Sequence, residues 1–153
     1  AKAFDIKILT YDIIKNEEAL IKYDAAFVSL ERIYRESDYI TMHLPLTKET
    51  KNMISADEIA MMKNDCMLIN MSRGGIVDES AVKEALENGR LGGFATDVLC
   101  FETIDETKVE SPLFDLDDKY NFIVTPHIGA QTDDSMERIG ISMLGKVEKY
   151  FGL

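Results

Sequence analysis

The chain has 153 residues, 46% of them hydrophobic, which predicts one globular domain with a core of its own. A formal net charge of -11 argues against nucleic acid as a partner, because a phosphate backbone needs a basic footprint; the acidity serves solubility instead. No stretch approaches the roughly 20 apolar residues of a membrane span, no signal peptide opens the sequence, and Cys66 and Cys100 show no CxxC spacing, so the expectation is a cytoplasmic protein with two buried free thiols and no metal site.

In chain order, Ala1–Phe4 reads as the last turn of a helix, and Ile6–Tyr11 (IKILTY) as an alternating, β-rich strand ending at Asp12. An acidic residue at the end of the second strand of a dinucleotide fold accepts hydrogen bonds from the adenosine ribose and repels the extra phosphate of the phosphorylated cofactor. As a plain turn residue, Asp12 reads equally well. Glu17–Tyr23 is a short helical turn, Ala26–Ser29 a brief strand and Leu30–Ser37 a short helix with its charges outward. Tyr39–Leu44 is a strand closed by Pro45, which cannot continue a ladder. Thr50–Ile54 follows, and then Ser55–Met62, where Ser55 with Glu58 three residues on is a capping-box pattern that starts a helix.

The centre of the chain is Cys66–Val77 (CMLINMSRGGIV). Its apolar run reads as a buried parallel strand, Met67–Asn70, whose carboxyl end carries Arg73 beside two glycines. Asp78–Asn88 places Ala81, Val82, Ala85 and Leu86 on one helical face, with Gly89 at the C′ stop. Phe94–Val98 is a strand ending near Asp97, and Phe101–Tyr120 a long acidic connection. Phe122–Thr125 is the final strand, followed by Pro126-His127-Ile128-Gly129-Ala130. Thr132–Phe151 reads as one long helix with Ile139, Met143, Val147 and Tyr150 as its core stripe. Strands alternating with helices imply an α/β fold, a doubly wound parallel sheet.

Three groups follow three successive predicted strands: Arg73, Glu102 and His127. In a parallel sheet all three project from the carboxyl edge, where ligands bind. Arginine offers a planar fork that holds a carboxylate bidentately. Histidine gives or takes a proton near neutrality, and a neighbouring carboxylate fixes its tautomer and favours its protonated form. Together they suit reduction of a 2-oxo acid, with Arg73 on the substrate carboxylate, His127 as proton donor and Glu102 supporting it. The hydride must come from a cofactor, since no side chain supplies one. His43, at the end of an apolar strand, reads as structural. Asp97 reads as a loop or cap residue as readily as a ligand.

The segments His43-Leu44-Pro45-Leu46-Thr47, Asn70 to Asp78, Ala95-Thr96-Asp97-Val98 and Val124 to Ala130, in this order, resemble the D-isomer-specific 2-hydroxyacid dehydrogenases. The resemblance runs over nearly the whole chain. It implies a Rossmann-like fold, NAD as cofactor and a small 2-hydroxy or 2-oxo acid as substrate, with Arg73, Glu102 and His127 as the catalytic trio. It further implies that Asp12 binds the ribose, that Asp97 faces the nicotinamide carboxamide, and that Leu44, Pro45 and Thr50 lie beside the adenosine and phosphates. Asn70, Met71, Ser72, His127, Gly129 and Ala130 then line the nicotinamide side. The same resemblance extends to NAD-sensing corepressors, so a binding or assembly protein is the alternative to an enzyme. A homodimer is the expected assembly.

The chain departs from the family pattern in lacking the first strand and a G-x-G-x-x-G loop, which in the family cradles the pyrophosphate at a helix N-terminus. Residues 1–153 are therefore expected to form a partial dinucleotide-binding domain without its substrate domain, inactive alone, in which the Ile6–Tyr11 strand has no proper neighbour. Thr103 also stands after Glu102 where the family usually has proline.

Overall fold

Short β-rich runs separated by capped helices set the order of elements. The computed structural model describes residues 2–100 and 110–152. A 3-10 turn over Lys2–Phe4 leads into β1 (Ile8–Thr10), α1 (Glu17–Tyr23), β2 (Ala25–Phe27) and α2 (Leu30–Glu36). Then come β3 (Tyr39–Met42), α3 (Ala56–Met61), β4 (Met67–Asn70), α4 (Glu79–Glu87) and β5 (Gly93–Thr96). A second 3-10 turn, Pro112–Asp115, precedes β6 (Phe122–Val124) and the long α5 (Asp133–Phe151).

All the paired strands run parallel, in the Rossmann-like α/β arrangement, but they form two sheets: β1-β2, and β3-β4-β5-β6. The expected single sheet is thus divided between β2 and β3. The expectation that the first strand has no proper neighbour is corrected on one side, since Ile8, Leu9 and Thr10 pair with Ala25, Ala26 and Phe27. In the larger sheet the register aligns Met42, Asn70, Thr96 and Val124 in one row across four strands. Because parallel strands share direction, every strand ends at the same edge.

Local chemistry explains where the elements stop. The strand expected over Ala26–Ser29 ends at Phe27, because the Ser29 hydroxyl accepts from the Arg32 amide (3.3 Å) and caps α2. The strand expected to reach Leu44 ends at Met42, and the Leu44 amide donates to the Ser72 hydroxyl instead of a ladder carbonyl (3.1 Å). At α3 the Glu58 carboxylate accepts from the Ser55 amide (3.0 Å) and hydroxyl (2.7 Å), as the capping pattern predicted. At α4 one Asp78 oxygen accepts from the Ser80 and Ala81 amides (3.0 and 3.2 Å), and Gly89 takes φ +65° just past the helix end.

The core lies against the four-stranded sheet. Leu68 of β4 and Phe94 of β5 meet Val82 and Leu86 of α4, Ile59 of α3, Leu113 of the second 3-10 turn and the loop residues Ile54 and Ile76. Phe94 also stacks on Phe122 of β6 at 6.1 Å between ring centroids. Cys66 is buried here, and burial pushes its thiol up to about 11.

Two expectations fail. Cys100 is exposed, because it sits in the loop after β5 rather than on the strand. The α5 stripe of Ile139, Met143, Val147 and Tyr150 is also exposed, and α5 buries no residue. Its spacing makes the helix amphipathic, but no described element lies close enough to cover that face.

Candidate active site

The site begins with the aligned strand ends. Directly after the row Met42–Asn70–Thr96–Val124 come His43, Met71, Asp97 and Thr125, so the loops bearing these residues leave one sheet edge side by side. Strands lie about 4.8 Å apart, which places the Arg73 loop after β4 and the His127 loop after β6 about 10 Å apart at their roots.

Two of these loops form a cleft of about 520 Å³, lined by His43, Leu44, Pro45, Leu46, Met71, Ser72 and Arg73. They are tied together from within. Asn70, nearly fully buried, donates through Nδ2 to the Arg73 carbonyl (2.9 Å) and accepts at Oδ1 from the Ser72 amide (3.1 Å). The Ser72 hydroxyl accepts from the Leu44 amide across the cleft. Asn70 and Ser72 therefore hold the shape of the cleft with the polar atoms expected to meet a ligand. Arg73 itself is exposed, with one guanidinium nitrogen donating to the Ser72 carbonyl (2.7 Å). Thr50 acts in the same structural way, its hydroxyl donating to the Pro45 carbonyl (2.7 Å) and accepting from the Thr47 amide (2.7 Å).

Gly74 explains why glycine follows the arginine. A Cβ there would stand 1.8 Å from the Leu99 carbonyl oxygen, so the Arg73 loop presses backbone to backbone on the loop after β5.

The β5 and β6 ends make a second cluster. Asp97 Oδ1 accepts from the His127 amide (3.1 Å) and from the Thr125 hydroxyl. His127 holds φ +53°, a left-handed conformation uncommon for a residue with a Cβ. The Asp97 carboxylate satisfies the amide that this turn presents, so it braces the histidine backbone rather than standing apart as a loop residue. His127 is exposed, as are Gly129 and Ala130, whose turn leads into α5; the Ser135 hydroxyl donates to the Gly129 carbonyl (3.4 Å).

Asp12 stands elsewhere. It lies beyond β1 in the smaller sheet, beside a hollow of about 320 Å³ whose lining includes Ile8, Thr10, Ile14, Leu20 and Phe27. One Asp12 oxygen accepts from the Ile14 amide (3.0 Å), so the turn reading is correct for that oxygen, and the residue remains exposed. Glu102 lies outside the described residues.

The structure thus brings Leu44, Pro45, Met71, Ser72 and Arg73 together around one cleft and pairs Asp97 with His127 on the same edge. It adds His43, which sequence reasoning set aside, and Leu46, which that reasoning did not single out. His43, whose Nε2 is 2.9 Å from the Thr41 hydroxyl, stands on the cleft wall and not in the core. The strand expected to reach Leu44 would hold His43 within it; the structure ends β3 at Met42. Leu44, Pro45, Leu46 and Met71 give the cleft apolar walls, and Ser72 and Arg73 place polar groups at its rim. Among the described residues no group of three or more His, Cys, Asp or Glu could hold a metal ion, and no helix is long and apolar enough to cross a membrane.

Comparison with known proteins agrees with this geometry. Residues 1–129 match the family model described as D-isomer specific 2-hydroxyacid dehydrogenase, NAD binding domain. The D-3-phosphoglycerate dehydrogenase of Synechocystis sp. is 36% identical over 147 residues, covering 96% of this chain and 25% of that protein. The hydroxypyruvate reductase of Thermotoga maritima is 37% identical over 154 residues, covering 100% of this chain and 48% of that protein. The crystal structure of D-lactate dehydrogenase with NAD+ from Lactobacillus jensenii superimposes with a TM-score of 0.83 at 34% identity, over 98% of this chain and 47% of that one. The chain therefore spans between a quarter and about half the length of these relatives.

Proposed function

This chain belongs to the D-isomer specific 2-hydroxyacid dehydrogenase family through its NAD-binding domain, and we propose that it serves the reduction of a small 2-oxo acid to the D-2-hydroxy acid. The observation that supports this most is the single row of strand ends, which sets the Arg73 loop two strands from the Asp97–His127 pair. A carboxylate held by Arg73 leaves the adjacent carbonyl of a three- or four-carbon acid within reach of a histidine rooted about 10 Å away.

In this reading Arg73 orients the substrate through its guanidinium fork, with Asn70 and Ser72 keeping the loop in shape behind it. His127 donates the proton to the new alkoxide, and Asp97 holds the turn from which it does so. Glu102 supports the protonated imidazole. Leu44, Pro45 and Thr50 lie beside the adenosine and phosphates, Asn70, Met71, Ser72, Gly129 and Ala130 line the nicotinamide side, and Asp12 accepts from the adenosine ribose. NAD in its reduced form, when bound, contributes the hydride that no side chain can provide.

The named relatives differ in the acid that their names give, and the one cation of the described cleft, Arg73, supports a small substrate bearing a carboxylate. The test is NADH oxidation against a panel of 2-oxo acids, with NADH binding followed separately by fluorescence. Arg73→Ala is expected to raise KM for the acid by about 10- to 100-fold with NADH affinity unchanged. His127→Asn is expected to lower kcat by about 100-fold or more. Unchanged turnover in Arg73→Ala refutes the assignment. NADH binding without turnover of any 2-oxo acid supports the sensing or assembly role instead.

A further inference from the structure

One buried carboxylate has no part in the chemistry above. Glu79, the first residue of α4, is nearly fully buried, yet it is neither a helix cap nor one half of an ion pair with a described residue. Its two oxygens reach across to another part of the chain. Oε1 accepts from the Cys100 amide at 2.6 Å, and Oε2 accepts from the Ser111 hydroxyl at 2.6 Å. Cys100 stands directly before the long acidic connection, and Ser111 lies midway along it in sequence.

The surroundings make this more than a chance pair of bonds. The residues just before Cys100 press on Gly74 so closely that no Cβ fits, which locks the start of the connection to the Arg73 loop. Just after Ser111, Leu113 is fully buried against the core, and the Ser111 hydroxyl also accepts from the Leu113 amide at 3.2 Å. Desolvation, and after it the Glu79 charge, push the Cys100 thiol up, as expected of a carboxylate standing close by. A buried carboxylate is costly to leave without hydrogen-bond donors, so the two contacts keep Glu79 in place.

We propose that Glu79 is a positioning residue: by holding Cys100, and Ser111 beside it, it fixes the Leu99–Cys100 backbone against which Gly74 and so the Arg73 loop rest. The role rests on the reading of Arg73 as the residue that holds the substrate carboxylate. Glu79→Gln retains an acceptor for the Cys100 amide and a donor for the Ser111 hydroxyl. Glu79→Ala removes both.

The test has two arms. Hydrogen exchange in the chain itself compares wild type, Glu79→Gln, Glu79→Ala and Ser111→Ala. In Glu79→Ala the Cys100 and Leu113 amides are expected to exchange roughly tenfold faster or more while the Val82 and Leu86 amides of α4 stay protected. Ser111→Ala is expected to speed Leu113 alone, and Glu79→Gln to stay near wild type. Acceleration of the α4 amides along with Cys100, or no acceleration at all, overturns the proposal. Should Glu79→Ala fail to fold, Ser111→Ala and Glu79→Gln carry the same comparison.

The second arm is turnover by the protein with the 2-oxo acid that it reduces best. Glu79→Ala is expected to lower kcat by about 10- to 100-fold with KM for NADH unchanged, and Glu79→Gln to restore it. A loss that appears equally in NADH affinity marks a merely structural residue. Absence of turnover in the wild type bears on the dehydrogenase reading and not on the clamp, which the exchange pattern decides by itself.

Discussion

The β3–β6 sheet and the regions on either side of it use the same residue types and bury them to opposite degrees. Phe94 and Leu68 in the sheet are 2% and 0% exposed, while Ile13 in the turn after β1 is 90% exposed and Tyr150 of α5 is 83% exposed. In the sheet every strand has helices, loops or a neighbouring strand to meet. The β1–β2 pair is covered mainly by α1, a helix without a buried residue, and α5 meets no described element closely. The contrast shows that an amphipathic pattern encodes a face and not what covers it. It also places the candidate chemistry on the firmer half: Arg73, Asp97 and His127 all leave strands of the larger sheet, whereas Asp12 leaves the smaller one.

The sharpest way to break the contrast is to truncate both halves. Phe94→Ala is expected to cost about 3–5 kcal/mol in denaturant unfolding, because it opens a cavity among Leu68, Phe122 and α4. Equal losses from Ile139→Ala on α5 would show that the helix is covered in solution. Next in size is Gly74→Ala, which forces the Leu99 backbone away and is expected to cost about 3 kcal/mol. It should also weaken acid binding through Arg73, checked by KM for the 2-oxo acid.

Thiol labelling probes the same division by rate. Cys66, buried with its thiol near 11, is expected to react about 100-fold more slowly than an ordinary cysteine at pH 8, whereas the exposed Cys100 reacts first. Comparable labelling rates in the folded protein contradict the packing around Cys66.

A smaller effect belongs to the cap of α3. Burial pushes the Glu58 carboxyl up, but the bonds from the Ser55 hydroxyl and amide outweigh it, and the net shift is downward. A lowered carboxyl stabilises the fold above its ordinary range and loses that contribution as the pH falls through its folded value. Glu58→Ala is therefore expected to cost about 1 kcal/mol near neutrality. Its difference from wild type should shrink as the pH drops below about 4. The smallest change is expected from Val147→Ala on α5, under about 0.5 kcal/mol.

Much of this was legible in the sequence because it depends on near neighbours. The apolar run at Met67–Asn70 had no other state open to it, and the strand matches its expected bounds. Ser55 with Glu58, and Asp78 with Gly89, are spaced by the helix itself, so those helix ends could be read directly. Parallel order followed from alternation, and with it the expectation that Arg73 and His127 share an edge. The strand ends at Phe27 and Met42 could not be read so well, because caps and loop ties formed by Ser29 and by Ser72, 28 positions beyond Leu44, decide them.

What the sequence by itself determined, then, was the set of elements and the residue types at their ends, since periodicity, caps and turn chemistry act within a few positions. Tertiary structure alone decided the rest. It divided the strands into two sheets, left the α5 stripe exposed, and tied Asn70 and Ser72 into hydrogen bonds that brace the cleft. It also joined Asp97 to His127 across 30 positions, and Glu79 to Cys100 and Ser111 across 21 and 32. The reason is physical: a hydrogen bond between distant residues depends on how strands align and loops pack, and no local pattern in the chain records that.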